Sequence, residues 1–262
     1  MPVERTAATL LEGLETTHRR VGRLLADLPP DAWALPVPAT PGWSVADVVS
    51  HLAEGDRGAL AAAQGREWGE AAFAGGLDGW TAAGVASHAG EDRETRLAAW
   101  EAAGDALRWH LASTQEDGWR TRVGFVAGPV SLRTLAQLRL NDGWLHGHDL
   151  AGATGQPFGL DEVTLAWMAD LAARVIPGSL SRRGRPHPGA SIRVLLPPAG
   201  EWLVGGAAGE RPDPGAEPDL VLQAEPLAFV LRAAGRTGGD PWRASGDQEL
   251  LADLSATLHS VS

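Results

Sequence analysis

The segment SLRTLAQLRLNDGWLHGHDLAGA, residues 131–153, carries an apolar stripe that turns polar halfway along. At 100° per residue, a helix places these side chains on one narrow face: Leu135, Leu138, Asp142, His146 and Asp149. The two leucines predict that this face is buried, so the polar side chains point into the same interior. An unpaired carboxylate is very costly there. The segment therefore predicts a buried site that supplies polar partners or a metal.

The polar half of this stripe suggests a ligand set for a divalent ion. Asp142 and His146 are four residues apart, so one oxygen and one nitrogen can bind the same ion. His51 lies at the edge of the apolar face of an upstream helix and is the predicted third ligand. Two histidines and one carboxylate leave a coordination position open, as in catalytic sites. A simpler interpretation is a salt bridge between Asp142 and His146, with His51 hydrogen-bonded in the core.

Two acidic residues near this set are candidates for accessory roles. Asp149 can accept a hydrogen bond from the second ring nitrogen of His146, or form an ordinary ion pair. Glu54, one turn after His51, is a candidate extra ligand or base, although surface helices often carry such a glutamate. Five other histidines have no supporting context and are interpreted as ordinary: His18, His88, His110, His187 and His259.

The first half of the chain predicts a helical bundle. Apolar residues recur at three- and four-residue steps over Glu4–Leu28, and Ser44 with Asp47 forms a capping box at the start of a second helix. After a Gly-rich stretch around residues 75–90, helices are predicted over residues 91–113, 131–153 and 161–175. Four or five long helices with short breaks are typical of a bundle.

The second half of the chain has a different composition. Its first residues are rich in Pro, Gly, Ser and Arg, which indicates a linker or hinge. Beyond them, strands are predicted over residues 191–196, 201–204 and 219–222, and helices over residues 226–234 and 248–258. The predicted fold class is α+β, mainly α. The predicted domains are residues 1–176, a linker over 177–190, and residues 191–262.

The overall composition limits the possible functions. The chain of 262 residues has no cysteine, so a thiolate zinc site or a catalytic cysteine is excluded, and any thiol must come from outside. A formal charge of -11 argues against nucleic-acid or anionic membrane surfaces as partners. We find no leader pattern and no apolar run of the roughly 20 residues that span a bilayer. We therefore expect a cytoplasmic protein.

Two motifs in the chain resemble those of a known family. They are GWSVADVVSHLA, residues 42–53, and DGWLHGHDL, residues 142–150. Together they resemble the mycothiol-dependent maleylpyruvate isomerase family, within the DinB-like superfamily. The resemblance implies a DinB-like four-helix bundle followed by a small C-terminal α/β domain. It also implies a divalent metal, most often zinc, bound by His51, Asp142 and His146.

Two further features of the family bear on this sequence. The family commonly has Glu at the position of Asp142, so the side chain here is shorter by one bond of about 1.5 Å. An arginine of the family's C-terminal domain assists the active site. In the stretch LRAAGR, residues 231–236, Arg236 matches it best and Arg232 is the second choice, although either residue can be a solvated helix charge.

The resemblance implies chemistry with mycothiol. A free thiol titrates near ~8.5, and coordination to a dication deprotonates it at neutral pH. We expect the thiolate to attack a small electrophile held in an apolar cleft that contains tryptophan. S-transfer is favoured over cis-trans isomerisation because transfer demands less of the site. Arg236 is expected to pair with a carboxylate of the thiol or the substrate.

Two other functions fit the same residues. A metal-dependent hydrolase would activate water at the open position, with Glu54 or Asp149 as the base. A binding protein without turnover would keep the bundle and a weak metal site. In all three cases the expected partners are small molecules, and we expect a monomer or a homodimer.

Overall fold

The computed structural model describes residues 3–66, 76–125 and 128–258. The chain divides into two compact units, Thr6–Leu160 and Asp161–Ser262, the second of which also includes Met1–Arg5. This boundary precedes the predicted linker at residues 177–190, because the helix after residue 161 packs on elements of the second unit. His259, one of the histidines interpreted as ordinary, lies outside the described residues.

The first unit is a helical bundle. Its helices are α1 (Ala7–Ala26), α2 (Val45–Ala63), α3 (Gly76–Ser87), α4 (Arg93–Ala112) and α5 (Leu132–Thr154). A short antiparallel pair, β1 (Arg122–Val123) and β2 (Val130–Ser131), precedes α5. Helix α2 packs against α4 and α5, and α1 packs against the same two helices. The predicted four-helix bundle is thus confirmed and consists of α1, α2, α4 and α5.

Helix α2 begins as its sequence predicts. The hydroxyl of Ser44 accepts a hydrogen bond from the backbone N–H of Asp47 at 3.3 Å, and a carboxylate oxygen of Asp47 accepts one from the N–H of Ser44 at 2.9 Å. This capping box fixes the phase of the helix, and its valines and leucine are buried in the core: Val45, Val48, Val49 and Leu52. His51 is carried into the interior on the same face.

Helix α3 differs from the sequence prediction. The Gly-rich stretch was expected to be a break between helices, yet residues 76–87 are helical. None of its residues is buried, so the segment has no core-facing periodicity by which a helix is recognised. Alanine is the strongest helix former, and three of these twelve residues are alanine.

The second unit combines helices with a four-stranded sheet. Its helices are α6 (Glu162–Arg174), α7 (Ile176–Arg182), α8 (Pro226–Ala233) and α9 (Gln248–Thr257), and its strands are β3 (His187–Leu196), β4 (Gly200–Gly206), β5 (Leu220–Ala224) and β6 (Trp242–Gly246). The strand order is β4-β3-β5-β6. Strand β3 is antiparallel to β4 and parallel to β5. The mainly helical α+β fold class is confirmed.

Two elements of the second unit were not predicted. The segment expected to be a linker contains α7, which is part of the core because Ile176 and Leu180 are fully buried. The glycines and prolines of the segment hide these apolar residues from a composition-based analysis. Strand β6 is an edge strand whose residues are mostly exposed, so it lacks the alternation of apolar and polar residues that marks a half-buried strand.

None of the helices among the described residues is both long enough and apolar enough to cross a membrane.

The packing of His18 in the bundle predicts a pH dependence of stability. His18 stacks on Trp100 with ring centroids 4.0 Å apart. Burial, with the nearby charge of Arg108, lowers the pKa of His18 to about 3 from 6.5. The folded state therefore binds this proton less readily than the unfolded state. Its contribution to stability is complete above pH 6.5 and is lost as the pH falls toward about 3.

We therefore expect the difference in unfolding free energy between wild type and His18→Gln to increase as the pH rises from about 3 to 6.5. Urea denaturation across this range measures it. The half-buried His110 lies on α4 in the same unit, and His110→Gln is the matched control for the loss of a histidine. A constant difference between wild type and His18→Gln would show that His18 titrates normally in the fold.

Candidate metal centre

The three predicted ligands lie together between α2 and α5. Nε2 of His51 is 3.4 Å from each carboxylate oxygen of Asp142, and Nε2 of His146 is 3.6 Å from Oδ1 of the same residue. One donor atom from each of the three residues lies within 4.8 Å of the others. This is the only such cluster of histidine, cysteine or carboxylate side chains among the described residues. The side chains of the two histidines are nearly buried.

The donor set fits a divalent cation. Zinc with ligands at ~2.0–2.1 Å in a tetrahedral arrangement separates neighbouring donors by about 3.3 Å, and two of the separations here are 3.4 and 3.6 Å. Both imidazoles turn Nε2 toward the carboxylate. Among the described residues, the other ring nitrogen of each histidine is buried and makes no hydrogen bond, and that of His146 lies within ion-pair distance of Asp149. Nitrogen and oxygen donors with one remaining position are typical of catalytic zinc.

The protonation states of two ligands suit a metal. Burial lowers the pKa of His51, and this effect outweighs the neighbouring Asp142, which raises it. Burial alone would raise the pKa of Asp142, but Arg139 and the two histidines hold it well below its usual value. His51 is therefore neutral and Asp142 is ionised at neutral pH. These are the forms in which imidazole and carboxylate bind metals.

A buried arginine, Arg139, contacts the carboxylate of Asp142. Nη1 of Arg139 donates to Oδ2 of Asp142 at 2.8 Å, and its Nε donates to Oδ1 of Asp56 at 2.9 Å. Burial opposes the charge of Arg139, but the two carboxylates outweigh that effect and raise the pKa of Arg139. Burial also raises the pKa of Asp56, despite its ion pair with Arg139. Sequence analysis did not identify either Arg139 or Asp56.

An aromatic residue covers the two histidines. The ring centroid of Trp43 is 5.1 Å from that of His51 and 6.4 Å from that of His146. Trp43 is half-buried, so part of its surface is available to a small molecule next to the cluster. Trp43 lies within the first motif, two residues before α2 begins, and its position in that motif was the only signal of its role.

Asp149 lies beside His146, three residues further along α5. Its Oδ2 is 3.2 Å from Nδ1 of His146, within ion-pair distance. The side chain of Asp149 is 1% exposed. A carboxylate at the outer nitrogen of a metal-binding histidine orients the ring and increases its basicity. His148 stacks on Trp144 and points away from the cluster.

Glu54 lies outside the cluster. Its Oε1 is 2.9 Å from Nε2 of His88 and also contacts Arg57. Nδ1 of His88 is 2.6 Å from Glu91. His88 was interpreted as ordinary, but it is a buried imidazole held between two carboxylates, and it joins α2 to the turn before α4. Glu91, three residues after His88, was a local signal of this arrangement.

The two candidate arginines of the second unit differ in their contacts. The guanidinium of Arg232 is buried and donates to the backbone carbonyls of Ser255 and Leu258 and to Asp240. Arg232 is thus committed to the structure of its own unit. Arg236 is also placed by its own unit, since its Nη1 donates to the carbonyl of Ala234 at 2.8 Å.

Helices α2 and α5 of the bundle bring two histidines and one carboxylate together. The chain is therefore a helical-bundle protein with a candidate metal centre. The family described as "Mycothiol maleylpyruvate isomerase N-terminal domain" matches residues 14–151. The chain belongs to this family, as its two motifs predict.

Other comparisons concern individual proteins. An uncharacterised protein, found in two strains of Mycobacterium tuberculosis, is 35% identical over 140 residues. The match covers 50% of this chain and 51% of each relative. The chain therefore spans about half the length of these relatives. Two crystal structures of the mycothiol-dependent maleylpyruvate isomerase, one of them of a mutant, share the fold with a TM-score of 0.62. Their sequence identities are 17% and 20%, and the alignments cover 92% of this chain and 93% of those chains.

The contacts of Glu54 lead to a prediction about Glu54→Gln. We expect the variant to bind as much metal as wild type, because this carboxylate is turned to His88. Its free energy of unfolding should fall by roughly 1–3 kcal/mol, since a hydrogen bond to a charged group is weakened. Elemental analysis and urea denaturation measure the two quantities.

Glu91→Gln is the matched control, because Glu91 holds the opposite nitrogen of the same imidazole. Both variants should lose stability, and both should keep the metal. Loss of metal in Glu54→Gln but not in Glu91→Gln would instead identify Glu54 as a ligand.

Proposed function

We propose that this chain is a divalent-metal-dependent enzyme that activates mycothiol for attack on a small electrophilic substrate. The observation that supports this most directly is the convergence of His51, Asp142 and His146 on one point between two helices. The family of the chain supports mycothiol as the thiol. The chain has no cysteine, so the reacting sulfur must come from a second molecule.

We propose zinc as the metal, held by Nε2 of His51, Nε2 of His146 and one oxygen of Asp142. Mixed imidazole and carboxylate donors suit zinc among the common divalent ions. When bound, such an ion lowers the pKa of a thiol at its open position and so favours the thiolate at neutral pH. The neutral His51 and the ionised Asp142 are in the forms that bind a dication.

The surrounding residues hold these ligands and provide a place for substrate. Asp149, 3.2 Å from Nδ1 of His146, is placed to pair with that ring when it binds a metal. Trp43 offers an apolar surface next to both histidines, where an unsaturated or aromatic electrophile can pack. Arg236 remains our choice for pairing with a carboxylate of the thiol or the substrate, as the family resemblance implies.

The proposed reaction forms a bond between the thiol sulfur and an electrophilic carbon of the substrate. The thiol loses its proton to solvent or to a base, and the carbon takes the sulfur electron pair while its leaving group departs. We favour this S-transfer over isomerisation. In an isomerisation the same carbon–sulfur bond must break again after rotation about a carbon–carbon bond, which requires additional groups to hold the substrate.

The experiment that tests this function compares wild type with His146→Ala. We expect wild type to carry about one zinc per chain and to consume mycothiol in the presence of an activated alkyl halide or an epoxide, with an S-conjugate detected by mass spectrometry. His146→Ala should lose metal affinity by at least about tenfold and lose this activity. His110→Ala is the control, because it removes one histidine outside the cluster.

The same assay with maleylpyruvate separates the two reaction types. Conversion to the trans isomer without net loss of mycothiol would replace S-transfer by isomerisation and leave the metal and thiol proposal intact. Turnover of an ester or amide without mycothiol would favour a hydrolase. Wild-type protein that carries metal but neither binds nor consumes mycothiol would refute the thiol-dependent function.

A further inference from the structure

Arg139 is placed to control how Asp142 meets a cation. Its Nη1 donates to Oδ2 of Asp142 at 2.8 Å. The other oxygen, Oδ1, is the one nearest to Nε2 of His146, at 3.6 Å, and it is also 3.4 Å from Nε2 of His51. Nε2 of His51 is also 3.4 Å from Oδ2, so the two oxygens differ in their other partner. Oδ2 accepts a hydrogen bond from the guanidinium, and Oδ1 is the oxygen that faces His146.

The guanidinium itself is fixed from the neighbouring helix. Nε of Arg139 donates to Asp56 at 2.9 Å, and Nη2 donates to the backbone carbonyl of Leu52 at 3.3 Å. Both acceptors belong to α2, while Arg139 belongs to α5. The side chains of Arg139 and Asp56 are 10% and 13% exposed, so the ion pair is largely removed from water. Three acceptors on two helices leave the planar group little freedom to move.

A glycine provides the space for this guanidinium. Gly55 is buried on the face of α2 that packs against α5, and a Cβ at that position would overlap three atoms of the Arg139 guanidinium. The overlapping atoms are the far end of the Arg139 side chain, and this end cannot shift without breaking its three hydrogen bonds. Gly55, Asp56 and Arg139 thus form a packed group of three residues, which we call the arginine seat.

We propose that the arginine seat makes Asp142 a one-oxygen ligand: Arg139 retains Oδ2, and only Oδ1 is presented to the divalent cation. Arg139 is a positioning residue, since it acts on the metal through Asp142. The inference rests on the proposed metal site. A carboxylate that binds through one oxygen occupies one coordination position, so a position stays open for the thiol. A carboxylate released from Arg139 can bind through both oxygens and fill that position.

The first test replaces the ion pair as a whole. Asp56→Asn with Arg139→Gln removes one positive and one negative charge together, so the summed charge near the metal is unchanged, and Asp142 keeps the imidazoles of His51 and His146 as its partners. We expect this double variant to bind zinc about ten- to a hundredfold more weakly in competition with a chelator. We also expect the cobalt-substituted variant to show weaker visible bands than cobalt wild type, because its coordination number is higher.

The second test changes only geometry. Gly55→Ala keeps every charge but displaces the guanidinium, so it should reproduce the weaker zinc binding and the weaker cobalt bands. Gly152→Ala on α5 is the matched control, because a Cβ there meets nothing within 4 Å. Gly152→Ala should bind both metals as wild type does. Circular dichroism establishes that each variant is folded, and Gly55→Ala carries the test if the double variant does not fold.

The outcomes separate this inference from the proposed function. Wild-type zinc affinity and unchanged cobalt bands in both Gly55→Ala and the double variant would overturn the positioning role of Arg139 while leaving the metal site in place. Wild-type protein that binds neither zinc nor cobalt would overturn the metal site and the inference together. Loss of affinity and weaker bands in both variants, with neither change in Gly152→Ala, supports the arginine seat.

Discussion

The carboxylate of Asp142 lies inside a helical bundle, where an ionised group is stable only if positive charge or hydrogen-bond donors surround it. Its neighbours meet this requirement from two sides. Arg139 donates to one oxygen, His146 faces the other, and Nε2 of His51 is 3.4 Å from both. The packing of α2 against α5 is what brings these groups within reach. The packing that stabilises the charge of Asp142 also brings the candidate ligands together, because each of these partners belongs to α2 or α5.

This arrangement connects the fold to the proposed chemistry. A neutral imidazole and an ionised carboxylate compete little with protons for a dication at neutral pH, so metal binding does not require an unusual solution pH. Asp142 is one bond shorter than the glutamate that the family resemblance implies, so its carboxylate lies nearer to its own helix. Arg139, itself paired with Asp56, holds one oxygen of that carboxylate at the helix interface.

The sequence reveals the residues on one helix face much better than those that meet across helices. The stripe on α5 predicted Asp142 and His146, and the capping box predicted the phase of α2, which carries His51 inward. Arg139 lies three residues before Asp142, so a helical spacing was available to indicate the pair. Asp56 had no such signal, because its partner depends on how α2 lies against α5. Helix α3 was missed for a related reason, since it buries no face.

The central claim is that one dication bound by histidines and Asp142 accepts the sulfur of an external thiol. X-ray absorption at the zinc edge of the metal-loaded protein, recorded before and after addition of mycothiol, tests it most directly. We predict nitrogen and oxygen ligands at ~2.0–2.1 Å with imidazole scattering before addition, and one new sulfur at about 2.3 Å afterwards. The chain has no cysteine, so a thiolate sulfur can come only from mycothiol. An unchanged spectrum at saturating mycothiol would contradict the account.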